Sequence, residues 1–198
     1  MVWYVIPILI GYLLGSISFS LLAGKLLKGI DIRNHGSGNA GATNTLRVLG
    51  VGPGVTVLLL DALKGVIAVM LGSWLGDGSS LLLVLCGVAA IAGHNWPIFY
   101  GFRGGKGIAT TIGVMITLAF VPVLIAGVAA ILIIAITRYV SLGSLILTAL
   151  LPILTWSMGF PMEIFIVSLI LFVFAWYRHR SNIVKLLNGK ENKLGAKK

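Results

Sequence analysis

The sequence predicts an all-α integral membrane protein with seven transmembrane helices, its N-terminus outside and its C-terminus in the cytoplasm. Three observations predict it. Of 198 residues, 58% are hydrophobic and 10% charged, and the mean hydropathy is +1.06. A soluble domain carries about a quarter charged residues. Apolar runs near the length that crosses a bilayer, about 20 residues, follow one another along the chain. Lys and Arg gather in alternate connections, as the positive-inside tendency requires.

The spans fall near 3–24, 53–75, 80–96, 107–120, 122–137, 142–158 and 162–177. The first has neither a basic leader nor an evident cleavage site, so it reads as a retained span rather than a signal peptide. Residues 107–137 contain no charge before Thr137 once Gly107 is passed. As one helix they would run about 46 Å, well beyond an apolar core of about 30 Å. Pro122 is the predicted turn, which leaves the fourth span short. With seven crossings, Lys25, Lys28, Arg33, Arg47, Arg103, Lys106, Arg138, Arg178, Arg180, Lys185, Lys190, Lys193, Lys197 and Lys198 all fall on one side. Merging the fourth and fifth spans would put the basic tail across the membrane from the first two basic loops. Trp3, Trp74, Trp96, Trp156 and Trp176 sit near span ends, the arrangement of an interfacial belt. The outer connections, Gly76-Asp77-Gly78-Ser79 and Gly159-Phe160-Pro161, are short turns. The glycine-rich loops, the Arg138 to Ser144 turn and the His179 to Asn182 segment are therefore expected to converge on the cytoplasmic face. Residues 1–198 read as a single polytopic domain. Cys86, the single cysteine, lies in an apolar run and reads as a small buried hydrophobe, with no disulfide framework.

Two polar stretches interrupt this pattern. Residues 35–47 read His-Gly-Ser-Gly-Asn-Ala-Gly-Ala-Thr-Asn-Thr-Leu-Arg, and Gly93-His94-Asn95-Trp96 leads to Gly104-Gly105-Lys106-Gly107. A Gly/Ser/Asn/Thr run with a fixed cation wraps backbone N–H groups around an anion. Arg47 and Lys106 are those cations, and Lys106-Gly107 also opens the fourth span, whose positive helix end faces any anion held there. The alternative is a helix-packing or interfacial loop that merely needs glycine. The second loop is not a Walker A motif, because its spacing differs and no Ser or Thr follows Lys106. Ser37 alone would read as a turn residue; among Asn39, Thr43, Asn44 and Arg47 it reads as polar recognition. Thr43 to Leu49 is expected to form a short surface helix ending at Gly50.

His179 and Asn182 lie on one face if the last helix continues past Trp176. His179 then exchanges a proton or donates to a phosphate oxygen, or else it faces lipid headgroups. Asp61 and Lys64 fall inside the second span, where an ionised group costs about 2.5–3.5 kcal/mol. Their spacing allows a structural ion pair or a supporting role beneath the loops. His94 reads as an interfacial histidine or one that orients the loop after it. The formal charge of +10, from 15 Lys and Arg against five Asp and Glu, reads as topology and attraction to anionic lipid rather than nucleic-acid binding.

Several chemistries are missing. No Asp follows a histidine at the spacing of an HxxxxD dyad, no GxSxG elbow is present, and no His/Cys or paired-carboxylate cluster suits a metal. Charge stabilisation and positioning by cations, hydroxyls and backbone amides remain. A transporter for a phosphorylated metabolite is the competing class, but transporters need access from both faces and often place broken helices at mid-membrane. A noncatalytic lipid-binding scaffold leaves so many phosphate ligands unexplained.

These residues resemble the bacterial acyl-phosphate:glycerol-3-phosphate acyltransferases called PlsY, over essentially the whole chain. Gly36 to Asn44 with Arg47 is similar to the family's first motif, and Gly93-His94-Asn95-Trp96-Pro97 through Phe102-Arg103-Gly104-Gly105-Lys106-Gly107 to its second. His179, Asn182-Ile183 and Gly189-Lys190-Glu191 resemble the third; Asp61-Ala62-Leu63-Lys64-Gly65 and Arg138 to Ser144 are also familiar. The resemblance implies acyl transfer from acyl phosphate to glycerol 3-phosphate, with no cofactor and no metal, at the bacterial cytoplasmic membrane with the site facing the cytoplasm. It implies catalytic roles for Ser37, Arg47, Lys106, His179 and Asn182. Substrate contacts are expected from Gly38, Asn39, Thr43, Asn44, Arg103, Gly104, Gly105, Gly107, Ser141 and Ser144. Membrane lipid is the expected surrounding, no nucleic acid is implied, and no protein partner is specified. Glu191 reads as fixing the tail rather than abstracting a proton.

Overall fold

Inside a bilayer the backbone has no water to bond, so every N–H and C=O must be satisfied within the chain, and helices do this segment by segment. The computed structural model describes residues 2–76 and 79–195, and among them every regular element is helical. The expectations placed on the Trp3 side chain, on Asp77 and Gly78, and on Lys197 and Lys198 fall outside the described residues. Among the described residues five helices are long and apolar enough to cross a membrane, and six if one bent pair counts as a single span. The chain divides into two compact units, Met1–Leu118 and Ala119–Lys198.

The first unit holds α1 (Val2–Gly15), α2 (Phe19–Lys28), a 3-10 turn at Ile32–Asn34, α3 (Ala42–Leu49), α4 (Val51–Leu75), α5 (Ser80–Asn95), a 3-10 turn at Ile98–Tyr100 and α6 (Ile108–Leu118). The 25-residue α4 packs against α1, α2, α3, α5 and α6 and forms the unit's axis. Lipid tails are as apolar as leucine, so tight backbone approach rather than hydrophobic sorting holds such helices together. At the α1–α5 crossing, a methyl group added to Gly15 would run into the Ala90 backbone, and one added to Gly93 into the carbonyl of Tyr12. The Tyr12 hydroxyl closes the same crossing by donating to Trp96 O at 2.8 Å.

Two expectations change here. The first span is not one unbroken helix: Ser16–Ser18 interrupt it, and the second piece runs to Lys28 before Gly29 ends it at φ +65°. The break has a cause in α4, given below. The fourth span divides from the fifth at Ala119 (φ −150°) rather than at Pro122. Pro122 lies in the first turn of the next helix, where its missing N–H leaves no bond unmade. This makes α6 an 11-residue helix, about 16 Å long and shorter than an apolar core.

The second unit holds α7 (Phe120–Thr137), α8 (Val140–Ser157), α9 (Met162–Arg178) and α10 (Arg180–Leu187). The central helix is α8, packed on α7 along Gly143 and on α9, where the Thr155 and Ser168 hydroxyls bond at 3.1 Å. Large apolar side chains such as Ile131, Ile136 and Val173 stay exposed, as lipid-facing residues do. The last apolar helix does not continue past Trp176 in a straight line: α9 and α10 meet at 62°, with His179 at the corner.

Candidate active site

The first loop is built around two side chains that bond backbone. Asp31 caps the Ile32–Asn34 turn by accepting from Arg33 N at 2.9 Å, and its carboxylate grips the Arg33 guanidinium, with Nη2 at 2.7 Å from Oδ2. That partner holds the Asp31 carboxyl below its ordinary range and pushes Arg33 up. Arg33 Nη1 continues to Tyr100 O at 3.0 Å and Arg103 O at 3.3 Å, strapping the first loop to the second. From α3, buried Asn44 donates to Ile32 O and His35 O, both at 3.0 Å, and accepts from Ser37 N at 2.8 Å. Gly36 (φ +61°) lies where any side chain would collide with Asn44 Oδ1. The consequence is a fixed, exposed Ser37 at the head of the loop, with Asn39 folded toward Gly41. Thr43 and Arg47 follow one turn apart on α3, which ends at Gly50 as the sequence predicts.

The second loop is clamped onto the end of α5. Gly104 N donates to Asn95 O at 3.3 Å and Gly105 N to His94 O at 3.1 Å. A side chain at Gly105 would strike both His94 Nε2 and the carbonyl of Ala40, so the two glycine-rich loops touch at this point. Gly107 (φ +79°) turns the chain into α6, its carbonyl accepting from Thr111 N at 2.7 Å. Arg103 is exposed, Lys106 half-buried. Asn95 is 1% exposed, and neither atom of its amide meets a protein hydrogen-bond partner.

Beneath the loops lies a charged cluster inside the helices. Lys64 Nζ stands 2.8 Å from Asp61 Oδ1, donates to Ile17 O at 2.7 Å and meets His94 Nδ1 at 3.0 Å. Ile17 sits in the break between α1 and α2, where the missing helical turn leaves its carbonyl available. The pair thus joins three segments, α4, the α1–α2 break and α5, rather than standing as an isolated i,i+3 pair.

The second unit carries the remaining expected residues. His179 Nδ1 bonds Ala175 O at 2.7 Å; because a carbonyl only accepts, the proton of that bond sits on Nδ1, and in its neutral form the ring has its lone pair on Nε2. Asn182, in the first turn of α10, donates through Nδ2 to both Glu191 oxygens at 3.0 Å. Glu191 belongs to a tail that returns to the α7–α8 turn, where Leu194 N donates to Arg138 O at 2.7 Å. Ser144 donates to Val140 O in its own helix at 2.9 Å, while the buried Ser141 hydroxyl has no hydrogen-bond partner. Among the described residues no three His, Cys, Asp or Glu side chains group as metal ligands.

Within the first unit Arg33 and the Gly105–Ala40 contact tie the segment that carries Ser37, Gly38, Asn39, Thr43, Asn44 and Arg47 to the segment that carries Tyr100, Arg103 and Gly105. His179 and Asn182 share the α9–α10 corner. Two participants escape sequence reasoning. Arg33 counts there only as a topological charge, and its one local signal is Asp31 two residues away. Asn95 sits inside a quoted motif without any role that spacing reveals.

The glycerol-3-phosphate acyltransferase family profile matches residues 5–189. The chain is similar to glycerol-3-phosphate acyltransferases of Halalkalibacterium halodurans, 59% identical over 94% of this chain and 93% of the relative, and of Shouchella clausii, 54% identical over 96% and 95%. Among solved structures it is similar to the crystal structure of PlsY (YgiH), an integral membrane glycerol 3-phosphate acyltransferase, in its glycerol 3-phosphate form. The TM-score is 0.92 and the identity 38%, covering 97% of this chain and 96% of that one. The lysophosphatidic acid form of the same protein gives 0.89, covering 97% and 95%. This chain belongs to the glycerol-3-phosphate acyltransferase family of integral membrane enzymes.

Proposed function

We propose that this chain transfers a fatty acyl group from acyl phosphate to the sn-1 hydroxyl of glycerol 3-phosphate. The products are lysophosphatidic acid and inorganic phosphate, and the reaction is the first acylation of phospholipid biosynthesis. The observation that carries the reading is the likeness to PlsY in its glycerol 3-phosphate form, at 38% identity over 97% of this chain. Both substrates are phosphate anions and one trails a lipid chain, so the chemistry calls for cations and amide hydrogens at a membrane surface.

In this reading the acceptor oxygen attacks the acyl carbonyl directly, the new ester bond forms, and the bond to phosphate breaks with its electron pair leaving on phosphate. Ser37, Lys106 and nearby N–H groups polarise the donor and stabilise the developing charge. Arg47 and the 104–107 loop hold phosphate, helped by the N-terminus of α6 and by Gly38, Asn39, Thr43 and Arg103. Asn44 acts by holding Ser37 in place, since its amide is occupied by Ile32, His35 and Ser37. His179 and Asn182 orient the acceptor, with Ser141 and Ser144 as further contacts. The hydroxyl proton passes to His179 Nε2 or to an oxygen of the departing phosphate.

The proposed setting is the bacterial cytoplasmic membrane, with seven crossings and the site facing the cytoplasm. Purified protein supplied with acyl phosphate and glycerol 3-phosphate, without added metal, is expected to form lysophosphatidic acid, and acyl-CoA to serve poorly. Lys106→Ala or Arg47→Ala should each lower turnover about 100-fold or more. Unchanged activity removes that residue from the mechanism, and a trapped acyl-enzyme contradicts direct transfer.

A further inference from the structure

Neutralising Asp61 does not by itself explain Lys64. The carboxylate lies three residues away on the same helix, yet the ammonium also reaches Ile17 O at 2.7 Å and His94 Nδ1 at 3.0 Å, both outside α4. An ammonium has only hydrogens to give, so His94 must present a lone pair at Nδ1 and carry its proton on Nε2. Nε2 is the atom that faces Gly105, while the backbone carbonyl of the same histidine accepts from Gly105 N at 3.1 Å. The glycine is thus bonded by the carbonyl of His94 and packed by its ring, which fills the space a Cβ would take and is oriented by Lys64. Asp61 Oδ1 lies 3.5 Å from Nδ1 as well as 2.8 Å from Nζ, so it fixes the ammonium at the histidine. The cluster is 1% exposed at Asp61 and Lys64 and 6% at His94, which leaves no solvent to compete with these bonds.

We propose that Asp61, Lys64 and His94 form a positioning relay that sets the shape of the 104–106 loop and thereby the affinity for the glycerol 3-phosphate phosphate group. The inference rests on the proposed role of the 104–107 loop in holding phosphate, and takes that phosphate to be the acceptor's. None of the three touches the reacting atoms. Their effect travels through the ring of His94 to Gly105 and on to the neighbouring Lys106.

The two nitrogens of His94 are separable by substitution. His94→Asn keeps an oxygen near the Nδ1 position for Lys64 but places nothing at Nε2; His94→Gln reaches the Nε2 position. In purified protein, His94→Asn is expected to raise the KM for glycerol 3-phosphate about tenfold, with the KM for acyl phosphate and the melting temperature close to wild type. His94→Gln is expected to recover most of that loss. Equal KM shifts in the two variants, or a parallel loss of kcat, both KM values and melting temperature, overturns the relay. Lys106→Ala separates the two claims. If it leaves the glycerol 3-phosphate KM unchanged, the phosphate-loop reading fails. If it raises that KM and His94→Asn does not, the relay alone fails. A measurement on unaltered protein guards against misfolded variants. Nitrogen NMR of labelled histidine, with His94 identified by the loss of the other two signals in His35→Gln and His179→Gln, is expected to show the Nε2–H tautomer and a shift at Nε2 on saturation with glycerol 3-phosphate. The opposite tautomer, or no shift, overturns the proposal.

Discussion

At the scale of single residues, the polar side chains divide between those that shape loops and those left to meet substrate. Asp31, Arg33 and Asn44 belong to the first group, since each spends its polar atoms on loop backbone or on one another. The Asp31 carboxyl is held below its ordinary range chiefly by its hydrogen bonds from Arg33. A depressed carboxyl contributes stability above its unfolded pKa of about 3.9 and loses it as pH falls through the lower folded value. Wild type should therefore resist loop proteolysis better than Asp31→Asn near neutral pH, and the two should converge in acid once the pH has fallen through the lowered folded value. Persistence of the difference in strong acid refutes the assignment. Asn95 makes the opposite case. Its buried amide lacks protein partners, so Asn95→Leu should alter the melting free energy by less than about 1 kcal/mol, where a bonded buried amide would lose about 1–3. This residue shows the limit of sequence reading: an asparagine letter does not tell whether its amide is occupied.

At the scale of elements, what the sequence predicts well is whatever one segment decides alone. Apolar length and the Gly50 stop specify α3, α5, α7, α8 and α9 closely, because hydropathy and backbone conformation act locally. The misjudged features answer to partners elsewhere in the chain. The Ser16–Ser18 break supplies a carbonyl to Lys64, and nothing within residues 3–24 announces that need. The bend at His179 falls just past the predicted span end at 177, where the sequence leaves continuation of the helix open. Of the site, the glycine-rich loops and their cations were legible, whereas the Arg33 strap and the Gly105–Ala40 contact join residues 65 or more apart in sequence and leave no periodic trace. The α1–α5 crossing gives a test at this scale. Gly15→Val should separate the helices and lower stability by about 1–3 kcal/mol through overpacking, seen as a fall in melting temperature in detergent. An unchanged melting temperature contradicts the close backbone approach.

At the scale of the whole molecule, the outstanding quantity is the number of crossings. Among the described residues five or six helices meet the length for a span, and α6 falls short. Seven crossings keep the tail on the same side as the first basic loops; six place it opposite. Cys86 is buried and is the chain's single cysteine, so Cys86→Ser gives a clean background for new thiols. With seven crossings, Ser157→Cys should react with an impermeant maleimide added outside intact cells, and Lys190→Cys only after the membrane is opened. Labelling of Lys190→Cys from outside sinks the seven-crossing reading.

The junction at Lys64 also bears on how the chain is made. α4 leaves the ribosome before α5, so His94 does not yet exist when Lys64 must enter the translocon, where a lone charge costs about 2.5–3.5 kcal/mol. Asp61, already synthesised one turn earlier at 2.8 Å in the finished protein, travels with it as an escort. Co-translational integration of this segment thus depends on a companion carried in cis, and the histidine takes its place only afterwards.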